Sequence, residues 1–506
     1  MSGKGSDVNT GDLERQTPDL WGSPGVRATV VAGKSGNADG AKGGRKADAS
    51  GIVHREENSP RVPAKDKQGE EDLWQRYGAE HGVWSRNMLM ALERGVKGNV
   101  WFSLIDKVWS DRTLGLAWEK VRSNAGSCGV DGITVERFEK DSQRRLLAVK
   151  EHLQRGDYQP KPVKRVWIPK PGTRDERPLG VPTVTDRVVQ GALRMVIEPI
   201  FEKEFAPQSY GFRPGRGCKD ALRQVDRLLR SGHVHVVDVD LKGYFDSIPH
   251  EPLRALVKEQ IADGRVVALI ERFLKQGVME QMPEVEPAAE QGTPQGGVIS
   301  PLLANLYLNP LDWLMERQGI AMVRYADDMV MLCESAEQAG QVLEQLQGWC
   351  QQAGLQLHPE KTKIVDLGAP GAHFDFLGYR FKRTGRGRLR RLIRPKSLKR
   401  LKERLRPLTR RNCGRSLTRV VEQLEEVLRG VHGYFHHAYH GQLREIDQWI
   451  RGRLRSILRK RHKGKGRGRG NDHLKWPNHY FERLGLFSLE QARRQQLISL
   501  HHGAHC

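Results

Sequence analysis

The sequence predicts an α+β fold: an antiparallel sheet with helices packed on it, then a basic α-helical region and a small terminal module. Three observations carry that expectation. Tyr325-Ala326-Asp327-Asp328 lies between two apolar runs, Ala321-Met322-Val323 and Met329-Val330-Met331-Leu332, as the tip of a tight β-hairpin does. Val234 to Asp240 alternates in part like a half-buried strand and carries its last acid to the sheet edge. Beyond Phe381, three apolar stripes recur at helical spacing on a basic background.

Taken in order, residues 1–70 are rich in Gly, Ser, Lys, Asp and Glu and poor in large apolar groups. They cannot bury enough surface to offset ordering, and a disordered tail is expected. Residues 71–381 follow as helices and strands. Trp84, Met88, Leu92, Trp101, Leu104, Val108, Leu114, Trp118 and Val121 are spaced as in helices, and Gly129-Val130-Asp131-Gly132 breaks the region as a turn. Val163 to Pro169 and Arg177 to Leu179 read as two short basic strands around Pro171-Gly172-Thr173-Arg174, and Val184 to Phe205 reads as a helix. The glycine-rich stretch Gln291 to Pro301 leads into a helix through Leu302, Leu303, Leu306, Leu308 and Leu311.

Residues 382–470 predict a small helical bundle. Its stripes are Leu398, Leu401, Leu405 and Leu408, ending near Pro407; then Val420, Val421, Leu424, Val427, Leu428 and Val431; then Ile446, Trp449, Ile450, Leu454, Ile457 and Leu458. Arg461 to Gly470 is a Lys/Arg/Gly linker. Residues 471–506 form a terminal module around Trp476, Tyr480, Phe481, Leu484, Leu486, Phe487 and Leu489.

The 506 residues leave room for about three domains. No apolar run approaches the ~20 residues that span a bilayer, and the N-terminus lacks a secretory apolar segment, so a soluble, cytoplasmic chain without membrane partners is expected. The six cysteines are scattered, with no Cys-x-x-Cys, which argues against a disulfide framework and a four-cysteine zinc module. Net charge is +23, and it is concentrated: Lys382 to Gly470 holds 29 basic against 6 acidic residues, whereas positions 1–381 hold 51 against 52. A regional excess of that size implies a polyanionic partner, most simply nucleic acid held through its phosphates.

An isolated Asp-Asp pair is usually a solvated turn. Here a second strand brings Asp240 toward it, and carboxylates gathered in a sheet repel one another without a cation between them. Oxygen-only ligands suit Mg²⁺, which in phosphoryl-transfer enzymes also takes substrate phosphates. In-line nucleotidyl transfer needs two such ions roughly 3.5–4 Å apart. Asp240 and Asp327 are the natural shared ligands, and Asp328 supports the metal shell. Asp246 and Ser247, just before Pro249, read as a helix start, and Asp238 reads as structural. Lys170 and Arg177 on the basic hairpin are offered to triphosphate oxygens. Gly296 and Gly297 let backbone approach a substrate closely.

Ordered blocks then make the chain recognisable: Gly129 to Gly132, Arg177-Pro178-Leu179-Gly180-Val181-Pro182, Ser209 to Arg216, Asp240 to Ile248, Gln291 to Leu303, Tyr325 to Asp328, Pro359-Glu360-Lys361-Thr362-Lys363 and Phe376-Leu377-Gly378-Tyr379. From Met88 to Leu489 it resembles bacterial group II intron-encoded reverse transcriptase/maturases, in a form lacking the HNH endonuclease. The resemblance implies a right-hand polymerase with fingers and palm to Phe381, a helical thumb or maturase X region over 382–470, and a small DNA-binding module. It implies catalysis and metal binding by Asp240, Asp327 and Asp328 with two Mg²⁺ ions, Mn²⁺ being the alternative. Phe245 would reject ribonucleotides, and Lys170, Arg177 and Gln295 would contact the incoming dNTP. Lys361, with Lys363 close by, would neutralise pyrophosphate, while Tyr325, Phe376, Gly378 and Tyr379 would contact primer and template.

The implied partners are the intron RNA, an RNA template with a DNA primer, dNTPs and target DNA, the last placing the protein on the bacterial nucleoid. Arg388, Arg390, Arg391, Lys399, Arg400, Arg404 and Arg411 are the RNA-binding candidates in the basic segment. The paired cysteines of an HNH domain are missing after Leu489, so priming is expected to use an available DNA 3′-end. His432, His436, His437 and His440, and the group His501, His502, His505 and Cys506, have spacing that permits metal but no cysteine or family counterpart; they are not taken as ligands. A splicing-only maturase with a dead polymerase would have lost an acid, and all three stand intact. A retron, diversity-generating or CRISPR-linked reverse transcriptase would lack the long basic segment.

Overall fold

Strand alternation divides the molecule into two cores that share one sheet. The computed structural model describes residues 73–502 apart from 97, 99, 170–175, 282–283, 287–289 and 469. The expected tail, Lys170, His505 and Cys506 therefore lie outside the described residues. The shared sheet has the order β6-β7-β3-β8, all antiparallel, from β3 (His235–Val239), β6 (Ala321–Tyr325), β7 (Asp328–Cys333) and β8 (Lys363–Asp366). Val237, Val239, Met322, Met329 and Met331 point into a large core with the N-terminal helices. Val236, Val323, Val330, Leu332 and Val365 point into the other, with the C-terminal helices. Both faces are covered, which is why β7 reads as a continuous apolar run.

The first core is organised by α1 (Val184–Glu204), which is buried along most of its length. Thr183 caps it by accepting the Asp186 N–H, and Asp186 accepts the hydroxyls of Tyr158 and Thr183. Gly129 packs on this cap: a Cβ there would sit 2.7 Å from Thr183 backbone. A second sheet, ordered β2-β1-β4-β5, lies beyond it, from β1 (Val163–Pro169), β2 (Glu176–Val181), β4 (Val278–Gln281) and β5 (Glu284–Glu286). The expected basic hairpin is β1–β2; β4 and β5 carry no signal that separated them from loop.

The second core holds α2 (Cys218–Arg230) and the three stripe helices, α4 (Pro395–Leu408), α5 (Leu417–Phe435) and α6 (His440–Arg461); α3 (Ser300–Arg317) belongs to the first core. Leu401, Leu405, Val420, Leu424, Leu428, Ile446, Ile450, Leu454 and Ile457 are fully buried, as the stripes require. The terminal module docks on α6 through Asp447, which accepts the backbone N–H groups of Leu489 and Glu490 and the Ser488 hydroxyl, starting α7 (Leu489–His502).

Two expectations need correction here. The basic region does not begin as a helix: β9 (His373–Phe376), β10 (Tyr379–Arg383) and β11 (Leu389–Ile393) form an antiparallel sheet across it. The boundary at 381/382 therefore falls inside β10. Composition changes there, but the fold does not, because Tyr379, Phe381 and Ile393 share a core with α4 and α5. Asp246 and Ser247 also do not start a helix. They end a short one, Tyr244–Ser247, in which the Ser247 hydroxyl donates back to the Tyr244 carbonyl, and the next helix begins at His250 without a side-chain cap.

Candidate active site

The hairpin tip is shaped from below by a buried ion pair. Tyr325 pairs with Asp328, which leaves Ala326 and Asp327 as a two-residue loop, with Ala326 at φ +58°. A positive φ on a residue with a Cβ is strained unless its surroundings hold it. Arg324 does so. Its Nη1 donates to the Ala326 carbonyl at 2.9 Å and to Asn305 Oδ1 at 2.9 Å, and its Nε donates to Asp312 Oδ1 at 2.7 Å. Arg324 and Asp312 are both fully buried. Above the tip, Asn305 Nδ2 donates to the Gly211 carbonyl, and a Cβ on Gly211 would overlap the Ala326 amide nitrogen. Tyr210 and Arg324 join the two segments by backbone hydrogen bonds at 2.8 and 3.0 Å, the second using the Gln208 carbonyl. The sequence reading missed Asn305, Asp312 and Arg324. The signal was a charged residue inside the apolar run that precedes the tip.

Asp240 arrives from the end of β3, one residue beyond Val239, which pairs with Met329. Its side chain is accessible, and Lys361 Nζ reaches both carboxylate oxygens at 3.2 and 3.3 Å. His358 N–H donates to the Asp240 carbonyl at 2.8 Å and fixes the Pro359–Thr362 loop beside the site. Asp327 is close enough to Asp240 for their charges to repel. Burial first, then Asp240, push its carboxyl up; Arg177 and Arg324 oppose that shift.

Asp328 stands differently. It lies on the face toward the second core, where it accepts the Leu377 N–H. Burial, then Asp327 and Asp238, push its carboxyl up to about 7. Asp238, on the same strand face as Asp240, is pushed up to about 6 by burial, with Lys363 opposing. The structure thus brings Asp240 and Asp327 together and ties Asp328 to the neighbouring turn.

That turn is Leu377-Gly378, at φ +45° and +79°, between Phe376 and Tyr379, which pair as the ends of β9 and β10. Two consecutive positive φ values mark the hairpin class whose twist matches its strands. Phe376 and Tyr379 are core side chains, fully buried, and the Tyr379 hydroxyl donates to the Tyr434 carbonyl at 2.7 Å. Of the four residues expected at the primer, Phe376 and Tyr379 thus have their side chains in the core, and Gly378 lies in the turn between them. Tyr325 is half-buried, its ring 6.2 Å from Phe212.

Arg177 is exposed on β2, opposite Ile168, and its charge reaches Asp327. Gln295 sits where the glycine-rich loop meets β2: its carbonyl accepts the Gly180 N–H at 2.7 Å, and Gly296, at φ +116°, leaves no room for a Cβ beside the Gly180 carbonyl. The same loop is tied to Phe245, whose carbonyl accepts the Thr293 N–H at 2.7 Å. Phe245 itself is partly buried against Tyr244. In the basic segment, Arg388, Lys399, Arg404 and Arg411 are exposed and Arg400 is half-buried. Arg391 lies on the opposite sheet face from Arg390, half-buried, 3.5 Å from Asp226 of α2. His432, His436 and His437 adjoin one another beside Lys219 and Arg223, and burial holds all three below the ordinary imidazole range.

The reverse transcriptase family generally uses divalent metal ions. Among the described residues no cluster of three His, Cys, Asp or Glu could hold a metal by itself. Asp240 and Asp327 nevertheless fit the role. They are adjacent hard oxygen donors, one already carries an ammonium where a cation would sit, and Mg²⁺ is commonly held by one or two carboxylates with substrate phosphates completing its shell.

Residues 168–381 match the reverse transcriptase (RNA-dependent DNA polymerase) family, and residues 398–476 match the group II intron, maturase-specific domain. Group II intron-encoded protein LtrA of Lactococcus lactis is 39% identical over 197 residues, 39% of this chain and 32% of LtrA. Protein YkfC of Escherichia coli is 34% identical over 303 residues, 52% of this chain and 78% of YkfC. The chain thus spans about a third of LtrA. A solved partial Cas6-RT-Cas1–Cas2 complex is similar at 21% identity and a TM-score of 0.32, over 49% of this chain and 42% of that one, too slight a likeness to bear on function. The two family matches and the likeness to these relatives place this chain in the family of group II intron-encoded reverse transcriptase/maturases.

Proposed function

We propose that the chain is an RNA-directed DNA polymerase whose basic C-terminal half binds a group II intron RNA, promotes its splicing and supports retrohoming. The observation that carries the polymerase reading is the meeting of Asp240 with the Asp327 hairpin tip, with Arg177 and Lys361 facing the same place. Divalent ions, two Mg²⁺ or in their place Mn²⁺, would activate the primer 3′-oxygen and neutralise charge on the triphosphate when bound.

The chain's residues do the rest. Asp240 and Asp327 supply the carboxylates, and the Arg324–Asp312 pair under the tip holds Asp327 in place. Arg177 meets triphosphate oxygens, and the sequence offers Lys170 for the same role. Phe245 and the loop at Gln295 form the floor and wall for the nucleotide sugar and base. Lys361 carries a proton at Nζ beside Asp240, placed to neutralise departing pyrophosphate. Asp328 acts from behind, fastening the hairpin to the Leu377-Gly378 turn where a primer end would lie.

The RNA reading rests on the charge of residues 382–470 and on the maturase-specific match. The test combines primer extension on an RNA template with a splicing assay on the flanking intron. Divalent-dependent cDNA synthesis and protein-dependent splicing are expected; a chain that splices but makes no cDNA would refute the polymerase half.

A further inference from the structure

The outer face of the β9–β10–β11 sheet carries a charge arrangement that folding alone opposes. Alternation along β10 sends Tyr379 and Phe381 into the core and leaves Arg380 and Lys382 on the other side. Register then places His373 of β9 and Arg390 of β11 directly opposite Lys382, one on either side. Three basic groups form one rung across three strands. Like charges directly opposite on a sheet are destabilising. The neighbouring rung shows the usual remedy: Arg380 Nε and Nη2 reach Asp375 at 2.7 and 3.0 Å. Among the described residues no carboxylate does this for Lys382 or Arg390.

Arg390 is held in place without being neutralised. Its guanidinium lies 4.3 Å from the Tyr439 ring centroid, a cation–π contact that sets its direction. The rung opens into a cavity of about 390 Å³, walled in part by Gln442, which accepts from the Ile393 N–H at 2.6 Å and donates to the Ile393 carbonyl at 3.2 Å. Lys382 stands four residues beyond Gly378, roughly 13 Å along the strand from the turn beside the catalytic hairpin.

We propose that this rung is a phosphodiester-binding site for folded RNA, in which Lys382, Arg390 and His373 take the backbone and position it without reading bases. It rests on the RNA-binding half of the proposed function and names the surface that performs it. The strand repulsion then becomes useful: it is relieved when phosphate arrives.

The test uses the full chain with Lys382→Gln and Arg390→Gln together. Binding to a transcript of the flanking intron is measured across KCl concentrations, beside the wild type and a Lys258→Gln/Lys275→Gln control of equal charge change on exposed positions outside the basic segment. Loss of two phosphate contacts should lower the slope of log Kd against log salt by about 1.4–1.8, and weaken binding roughly 25- to 60-fold near 0.1 M salt. The control should keep the wild-type slope, and primer extension on a short primer–template should keep its KM. The unfolding midpoint of Lys382→Gln alone, which removes the repulsion and keeps the Arg390–Tyr439 contact, should equal or exceed that of the wild type. An unchanged slope, an equal loss in the control, a raised KM on the short duplex or a lower midpoint each overturns the site. A wild type that does not bind the transcript overturns the maturase reading itself.

Discussion

Asp312→Ala removes the carboxylate hydrogen-bonded to Arg324 and leaves a guanidinium enclosed under the Ala326-Asp327 tip. Both side chains are fully buried, and the pair is made by two nitrogens of Arg324 on two oxygens of Asp312. Stripping one partner from such a pair costs about 3–5 kcal/mol, because the remaining charge has no water to turn to. Arg324 also holds the Ala326 carbonyl, so its escape would release the tip that carries Asp327. A misplacement of about 1 Å at a reacting group can cost on the order of 100-fold in rate. The assay is a thermal-unfolding midpoint measured with single-turnover nucleotide addition. Asp312→Ala should lower the midpoint by several degrees and slow addition about 100-fold. Arg324→Met/Asp312→Leu should regain the midpoint yet stay slow, since no donor reaches Ala326. Full activity in the double variant, or a loss in Asp312→Ala under about 1 kcal/mol, would refute the brace.

Gly211→Ala should act at the same place from above: the added methyl overlaps the Ala326 amide, so single-turnover addition should fall at least 10-fold while circular dichroism is unchanged. Asp328→Asn tests the acid tied to the Leu377 turn. A carboxyl raised to about 7 in the folded chain against about 3.8 unfolded destabilises the ionised folded form fully above pH 7 and not at all below the unfolded value. Without divalent ions, the variant should therefore melt higher than the wild type at pH 8, with the gap closing toward pH 4; a gap that widens on acidification contradicts the shift. Arg177→Gln should reduce kcat/KM for dNTP about 10- to 100-fold, the worth of a charge-assisted hydrogen bond, with intron RNA binding unaltered; a change in RNA affinity instead would move Arg177 out of the nucleotide site.

The acids were legible because each sits at the end of a pattern read locally. Apolar runs flank Tyr325 to Asp328, and the run ending at Asp240 alternates. What holds them was not, since Gly211, Asn305, Asp312 and Arg324 meet only in three dimensions. Arg324 reads as a flaw in a strand until Asp312, on another element, explains it. The β9–β11 sheet is a different case. Tyr379-Arg380-Phe381-Lys382 alternates visibly, yet the change in composition at Phe381 masked a strand that crosses it. The same alternation places the Phe376 and Tyr379 side chains inward. Local periodicity recovers elements; a change in charge composition does not show whether a strand runs across it.

The central claim is that catalysis and intron recognition occupy separate surfaces of one chain, with Asp240 and Asp327 serving only the first. The most direct measurement is divalent-dependent cDNA synthesis and intron-transcript binding, made side by side on Asp240→Asn and Asp327→Asn. Synthesis should disappear in both variants while Kd for the transcript stays within about twofold of the wild type, a change below roughly 0.4 kcal/mol. Retained synthesis, or transcript binding lost together with it, would contradict the account.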